Sequence, residues 1–115
     1  MKSIYEKENK RLTFEIHEEI DEYVVQNMRR RLDNEIERYM PKEVIFDFNK
    51  VSFMDSAGIG LIMGRYKKIR DKGDISVVGA DESIKRILLI SGLHKIVYIY
   101  DNLMDAVKKE NRRDV

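Results

Sequence analysis

Cysteine is absent from this chain of 115 residues, which removes disulfides, thiolate nucleophiles and thiolate metal sites together. Histidine is scarce: His17 and His94 are the only two. No metal-ligand spacing joins them, and each reads as a surface or packing residue rather than a catalytic base. An excess of one charge is also missing. Lys plus Arg total 22 and Asp plus Glu total 21, so no positive field is available to hold a nucleic-acid backbone. The run Arg29-Arg30-Arg31 reads as a solvated helix face. No apolar run approaches the roughly 18 residues of a membrane helix, and the opening MKSIYEKENK has no signal-peptide core. These absences together predict a cytoplasmic protein with no membrane segment, no direct nucleic-acid contact and no metal.

What is present is enough for one core. Hydrophobic residues make up 43% and charged residues 37%, a composition that supports a packed interior under a heavily charged surface. At this length a single domain is expected, because smaller pieces would bury too little surface. Residues 1–107 read as that domain. The segment Lys108 to Val115 is too charged to pack and is expected to fray.

Ile4 to Glu8 and Arg11 to Ile16 alternate apolar and polar residues about Asn9-Lys10, which predicts a hairpin. From Glu22 onward, Val24, Val25, Met28, Leu32, Ile36 and Tyr39 recur at helical steps until Pro41, the lone proline, stops the pattern. Glu43 to Phe48 is short and rich in branched and aromatic residues and reads as a central strand. A second helix is expected from Ser56 to Lys72, with Ile59, Ile62, Met63, Tyr66 and Ile69 on its apolar stripe and Gly73 after it.

Ile75 to Val78 reads as a strand. Asp81 suits the cap of a third helix carrying Ile84, Ile87, Leu88 and Ile90, ended by Ser91-Gly92. Val97 to Tyr100 reads as a last short strand, and Asp101 or Asn102 as the cap of a final helix with Leu103, Met104 and Val107. Strands alternating with helices imply an α/β domain with crossovers, and the opening hairpin makes its sheet mixed, packed with about four helices.

The informative stretch is Val51 to Lys67, VSFMDSAGIGLIMGRYK, where a loop delivers Asp55 and Ser56 to a helix start. Ser56 has two readings. Serine is a preferred cap, and Asp55 suits the positive helix end. A phosphate on Ser56 would also sit beside unpaired N–H groups and the positive end of the dipole, where an anion is favoured. Gly58 and Gly60 each weaken a helix by roughly 1 kcal/mol relative to alanine, so close approach of another backbone is expected there. Gly64 either serves the same face or lets the helix lie on the sheet. Phe53, Met54, Ile59 and Leu61 are the apolar neighbours able to contact a partner; core packing is the favoured fate of Phe53 and Ile59, and Met54 is the preferred exposed candidate.

FMDSAGIGLIMGRYK, Phe53 to Lys67, resembles the signature of the anti-sigma factor antagonists, the STAS domain family, of the sporulation type. IKRILLISGLHKIV, Ile84 to Val97, is similar to the family's later helix and its Ser-Gly-Leu turn, and the resemblance runs from RLTFEIHEEID at Arg11 to about Val107. It implies a free-standing STAS-like domain, monomeric when free, that is not an enzyme and carries no cofactor. In that family the unphosphorylated antagonist binds an anti-sigma factor that is itself a serine kinase, and the sigma factor is released. The kinase uses ATP to phosphorylate the antagonist, and a serine phosphatase reverses this.

Carried over by motif, Ser56 is the phosphorylated residue with Asp55 its neighbour, and Asp21 lies near the same docking surface. The expected partner-binding set is Asp21, Met54, Asp55, Ser56, Ala57, Gly58 and Gly60. A phosphate there would add a charge of about −1.5 to −2, opposing an acidic partner surface and adding bulk. The chain departs from the pattern at Glu18, where glycine is usual, and at Glu22-Tyr23-Val24, where the family is more polar and histidine-containing. These departures bear on which partner is chosen rather than on the switch.

Two rival classes remain. A phospho-aspartate receiver would use Glu18, Glu19 and Asp47 around Mg²⁺, but Asp47 reads as interior to its strand, between Phe46 and Phe48. A STAS-type scaffold or ligand-sensing module would never be phosphorylated. The chain carries no segment beyond the one domain, which suits a free-standing switch better.

Overall fold

Five short strands alternate with helices in the computed structural model, which describes residues 1–109. The strands are β1 (Lys2–Glu6), β2 (Arg11–Glu15), β3 (Glu43–Asp47), β4 (Asp74–Val78) and β5 (Tyr98–Tyr100); the helices are α1 (Val25–Tyr39), α2 (Ser56–Ile69), α3 (Glu82–Ile90) and α4 (Leu103–Lys108). The sheet runs β1-β2-β3-β4-β5. β1 pairs antiparallel with β2 through the opening hairpin, and the other neighbours pair in parallel, so the sheet is mixed as the sequence predicts. Crossovers of one hand that always step the same way across a sheet leave their helices on one face. Accordingly α1, α2 and α3 share one core with Leu12, Phe14, Val44, Phe46, Ile75 and Val77. On the other face Ala106 of α4 packs with Ile45, Val78 and Tyr100.

The helix pattern places α1 well: Val25, Met28, Leu32 and Ile36 are buried at steps of three and four. Its start is later than the sequence suggests. Residues 22–24 form a turn in which Asp21 Oδ1 accepts the N–H groups of Tyr23 and Val24 at 2.9 and 3.1 Å, so the first regular turn begins at Val25. At its other end Met40 takes a left-handed φ of 48° just before Pro41, and its N–H still reaches Ile36 O at 2.8 Å.

The stripe of α2 is rotated from the expected one. Gly58, Leu61, Ile62, Arg65 and Ile69 are buried, while Ile59, Met63 and Tyr66 sit half-buried at its edge. Two contacts set that rotation. Gly58 is turned onto Met54 and Ile20, and Arg65 meets Asp33 of α1, Nε to Oδ1, at 3.0 Å. Asp81 caps α3 by accepting the Ile84 N–H at 2.9 Å, and Asn102 rather than Asp101 caps α4 by accepting the Asp105 N–H at 2.9 Å. Ile90 leaves the buried stripe and is 79% exposed, because six residues beyond Ile84 lies well off that face at 100° per residue. Leu103, Met104 and Val107 are likewise on the outside, and only Ala106 of α4 is fully buried.

Of the segment expected to fray, Lys108 closes α4 and Lys109 Nζ lies 3.8 Å from Glu43 Oε1. Residues 110–115 lie outside the described residues. Glu43 also pairs with Arg11, Nε to Oε1 at 3.0 Å, and Arg11 in turn reaches Glu6 at 3.1 Å. This ionic strip ties the first three strands to the end of α4.

Candidate functional site

Parallel strands β2 and β3 end on the same edge of the sheet, and the loops that leave them, residues 16–24 and 48–55, run side by side. Ile20 and Met54 form a parallel bridge. The Ile20 N–H donates to Phe53 O at 2.9 Å and the Asp55 N–H donates to Ile20 O at 3.0 Å. The bridge brings together the residues that follow it on each strand, Asp21 on one and Asp55-Ser56 on the other. It thereby sets the starts of α1 and α2 next to each other. Each start is closed by its own aspartate: Asp21 in the turn before α1, and Asp55 at α2, where Oδ1 accepts the Ala57 N–H at 2.8 Å.

The cap of α2 is therefore Asp55, and Ser56 is the first helical residue. Ser56 is exposed, and among the described residues its hydroxyl is tied to no other group. Its freedom follows from the capping choice: the neighbouring carboxylate does the work that serine would otherwise do. The same choice alters the anion argument. The Ala57 N–H goes to Asp55 Oδ1 and the Gly58 N–H to Asp55 O at 3.0 Å, so these two donors are already engaged. A phosphate on Ser56 would be favoured by the helix dipole rather than by those N–H groups.

The apolar surroundings reverse the expected inside and outside. Met54 is only 2% exposed, whereas Phe53 is 47% exposed. The Ile20 bridge turns the Met54 side chain beneath α2, into the space that Gly58 leaves by having no Cβ; an added Cβ would run onto Met54 Cγ and Sδ and lie 3.2 Å from Ile20 Cγ2. Gly58 thus admits a side chain of its own chain, not a second backbone. Gly60 differs, being exposed with nothing within 4 Å of a Cβ built on it, and Gly64 is equally unobstructed. Gly60→Ala should accordingly raise the unfolding free energy by about 0.5–1 kcal/mol through helix propensity, measured by urea denaturation. A drop in stability would show that the site needs glycine for the fold itself.

The large exposed apolar groups at this edge are Phe53, for which the sequence favoured the core, and Tyr23, which is 82% exposed and stood out in the sequence only as part of a departure from the family pattern. Residues 48–55 follow neither a helical nor a strand period that would have signalled Phe53. Glu18 is held by the Met1 ammonium, 3.2 Å from Oε2, and by the His17 N–H, 3.2 Å from Oε1. Partial burial pushes the Glu18 carboxyl up, but these partners outweigh it and hold it below the usual carboxylate range.

The rival site does not assemble. Asp47 closes β3 instead of lying inside it, so the placement expected for it was one residue too deep. Its Oδ1 accepts the Asn49 N–H at 3.0 Å and Nδ2 at 2.8 Å. Among the described residues no group of three or more His, Asp or Glu side chains is set to hold a metal ion. His17 lies at the end of β2 with Nε2 3.8 Å from Glu15 Oε1, and His94 in the short 3₁₀ turn Leu93–Lys95 between α3 and β5. No described helix is long and apolar enough to cross a membrane.

Residues 2–106 match the family model of the STAS domain. The chain belongs to the STAS domain family. Among STAS relatives, the anti-sigma F factor antagonist of Paenibacillus polymyxa is 37% identical over 90 residues, 77% of each chain. The solved structure of the anti-sigma factor antagonist SpoIIAA in its unphosphorylated form superposes with a TM-score of 0.75 at 20% identity, covering 93% of both chains. That of the Bacillus cell fate determinant SpoIIAA in the phosphorylated form gives 0.67 at 22% identity, covering 88% of this chain and 91% of the other. At those identities the two structures establish the STAS fold, which is the five-stranded mixed sheet with four helices described above.

Proposed function

We propose that this chain is an anti-sigma factor antagonist that acts as a phospho-switch through Ser56. The observation that carries the reading is the free, exposed hydroxyl of Ser56 at the first position of α2. Ser56 lies two residues past the Ile20–Met54 bridge, with Asp21 one residue past it on the neighbouring loop, and the cap it would otherwise supply comes from Asp55. Unphosphorylated, the chain binds an anti-sigma factor serine kinase and the sigma factor is released. The kinase then places a phosphate on Ser56 and a serine phosphatase removes it. ATP enters through the kinase and the switch carries no cofactor of its own. It works in the cytoplasm, as a monomer when free.

The fold tolerates such a phosphate for a physical reason. Ser56 Oγ has no structural duty to lose, and the start of α2 is held by Asp55 whether or not the serine is modified. The added group changes what the surface presents, not how the domain packs. The expected like-charge repulsion is the weaker part of the switch, because loops 16–24 and 48–55 carry five acidic side chains against one lysine, Lys50. A partner complementary to them is basic. Bulk, and the cost of stripping water from a dianion at a closed contact, are then the effects that break the complex.

The test is incubation with the anti-sigma serine kinase of the same genome and ATP, followed by mass spectrometry. Wild-type protein should gain one phosphate on Ser56. Ser56→Ala should gain none yet still bind, and Ser56→Asp should bind at least about tenfold more weakly while melting within a few degrees of wild type. Wild-type protein that binds but is never modified would favour a non-phosphorylated STAS scaffold or ligand-sensing module.

A further inference from the structure

The edge that carries Ser56 also presents two aromatic side chains that the phospho-switch does not use. Tyr23 is 82% exposed and Phe53 is 47% exposed. Scattered apolar residues on a surface call for no explanation, but these two lie on the two loops that the Ile20–Met54 bridge joins. Phe53 O accepts the Ile20 N–H at 2.9 Å, and the Tyr23 N–H donates to Asp21 Oδ1 at 2.9 Å. Their backbones are thus fixed before any partner arrives. A rigidly mounted aromatic with two side-chain torsions loses little freedom on docking and buries a large area, which is why such residues dominate binding energies.

We infer that Tyr23 and Phe53 are the apolar anchors of the partner-binding surface. The inference rests on the reading above that a serine kinase docks at Ser56. The partner surface it requires is an apolar recess rimmed by arginine or lysine. The apolar part matches the two rings. The basic rim matches the charge around them, since Glu19, Asp21, Glu22 and Asp55 outnumber the one lysine of loops 16–24 and 48–55, Lys50, while Glu18 is already paired with the Met1 ammonium. Charge of this kind sets encounter rate and salt dependence, while the buried rings set the lifetime of the complex.

An apolar contact next to Ser56 also explains how one phosphate empties the complex despite a basic partner. In a closed contact the attraction of a basic rim for the phosphate is offset by the water that both must lose, as for any buried ion pair. The dianion must lose water to let the rings seat, and that cost is large.

The deciding experiment is a calorimetric titration of the unphosphorylated chain against the purified anti-sigma serine kinase at low and at high salt. Wild type, Tyr23→Ala, Tyr23→Phe and Phe53→Ala are compared, with Met104→Ala as the control. Met104 is 59% exposed on α4, which packs on the opposite face of the sheet. Tyr23→Ala should weaken binding about tenfold or more, with Tyr23→Phe and Met104→Ala close to wild type. Phe53→Ala should weaken it as well, and its affinity is to be read against its own melting curve because half of that ring is packed. Binding of Tyr23→Ala within twofold of wild type would overturn the anchor. A kinase that does not bind the wild-type chain at all would overturn the phospho-switch reading beneath it.

Discussion

Gly73→Ala should lower the unfolding free energy by about 3 kcal/mol or more and the melting midpoint by roughly 10 °C or more. Gly73 lies between α2 and β4, and its N–H donates to Ile69 O at 2.8 Å. A Cβ added there would be driven into the carbonyl group of Lys42. That carbonyl cannot simply retreat. Its oxygen accepts the Asp74 N–H at 3.0 Å, and the residue after it opens β3, in register with Asp74 across the parallel pair. Moving Lys42 therefore breaks the first rung between two central strands, while moving Gly73 frees the end of α2. The glycine is needed for space, since its φ is not in the left-handed region. Circular dichroism melts would measure the loss, and a variant as stable as wild type would show that the Lys42 carbonyl has room to move. Ser56 stands at the opposite end of α2, so the folded fraction should still be phosphorylated at the wild-type rate.

That turn illustrates which parts of the fold were legible in the sequence. Gly73 announces the end of α2 by its position after an apolar stripe, and Asp81 announces α3 as a cap; both are local signals. The α1 stripe was readable because it obeys one period for its whole length, and β3 because a short branched and aromatic run bounded by Pro41 and Asn49-Lys50 suits a buried strand. The site was less legible at the level of side chains. Whether Met54 or Phe53 faces inward is decided by a bridge to Ile20 on another loop, and no pattern within residues 48–55 encodes that partner. Asp55 and Ser56 are both good caps, so their order at α2 depends on a backbone angle: Asp55 is extended, with ψ of −171°. The rotation of α2 was hidden for a different reason. A buried position occupied by arginine does not register as apolar, and the charge becomes tolerable there only because α1 brings an aspartate to it.

Asp33→Ala should cost about 3 kcal/mol, because it strands that arginine. Arg65 is 4% exposed, and its Nε lies 3.0 Å from Asp33 Oδ1. The alignment is not that of a good hydrogen bond, so the attraction is chiefly between charges. Burial pulls the Arg65 guanidinium below its ordinary pKa, Asp33 pulls it back up, and Arg29 adds to the downward push. With Asp33 gone, the cation keeps its burial and its like-charged neighbour. Removing one partner of a buried pair costs about 3–5 kcal/mol. Asp33 is itself 21% exposed, so water can enter, and the lower end of that range applies.

The reverse deletion should be milder. Arg65→Met fills the same volume with an apolar chain and leaves Asp33 in partial contact with water, with Lys68 Nζ at 4.0 Å. Combining the two substitutions should recover much of what Asp33→Ala loses, and a double-mutant cycle by urea unfolding would read the coupling directly. Additive losses would mean that the two side chains are not energetically coupled, and would sink the ion-pair account. Because α1 follows Asp21 and α2 begins at Ser56, the pair joins the two helices whose starts frame the proposed docking edge. Arg65→Met, as the milder variant, should therefore keep wild-type affinity for the kinase if packing alone sets the angle between them, and lose affinity if the ion pair does.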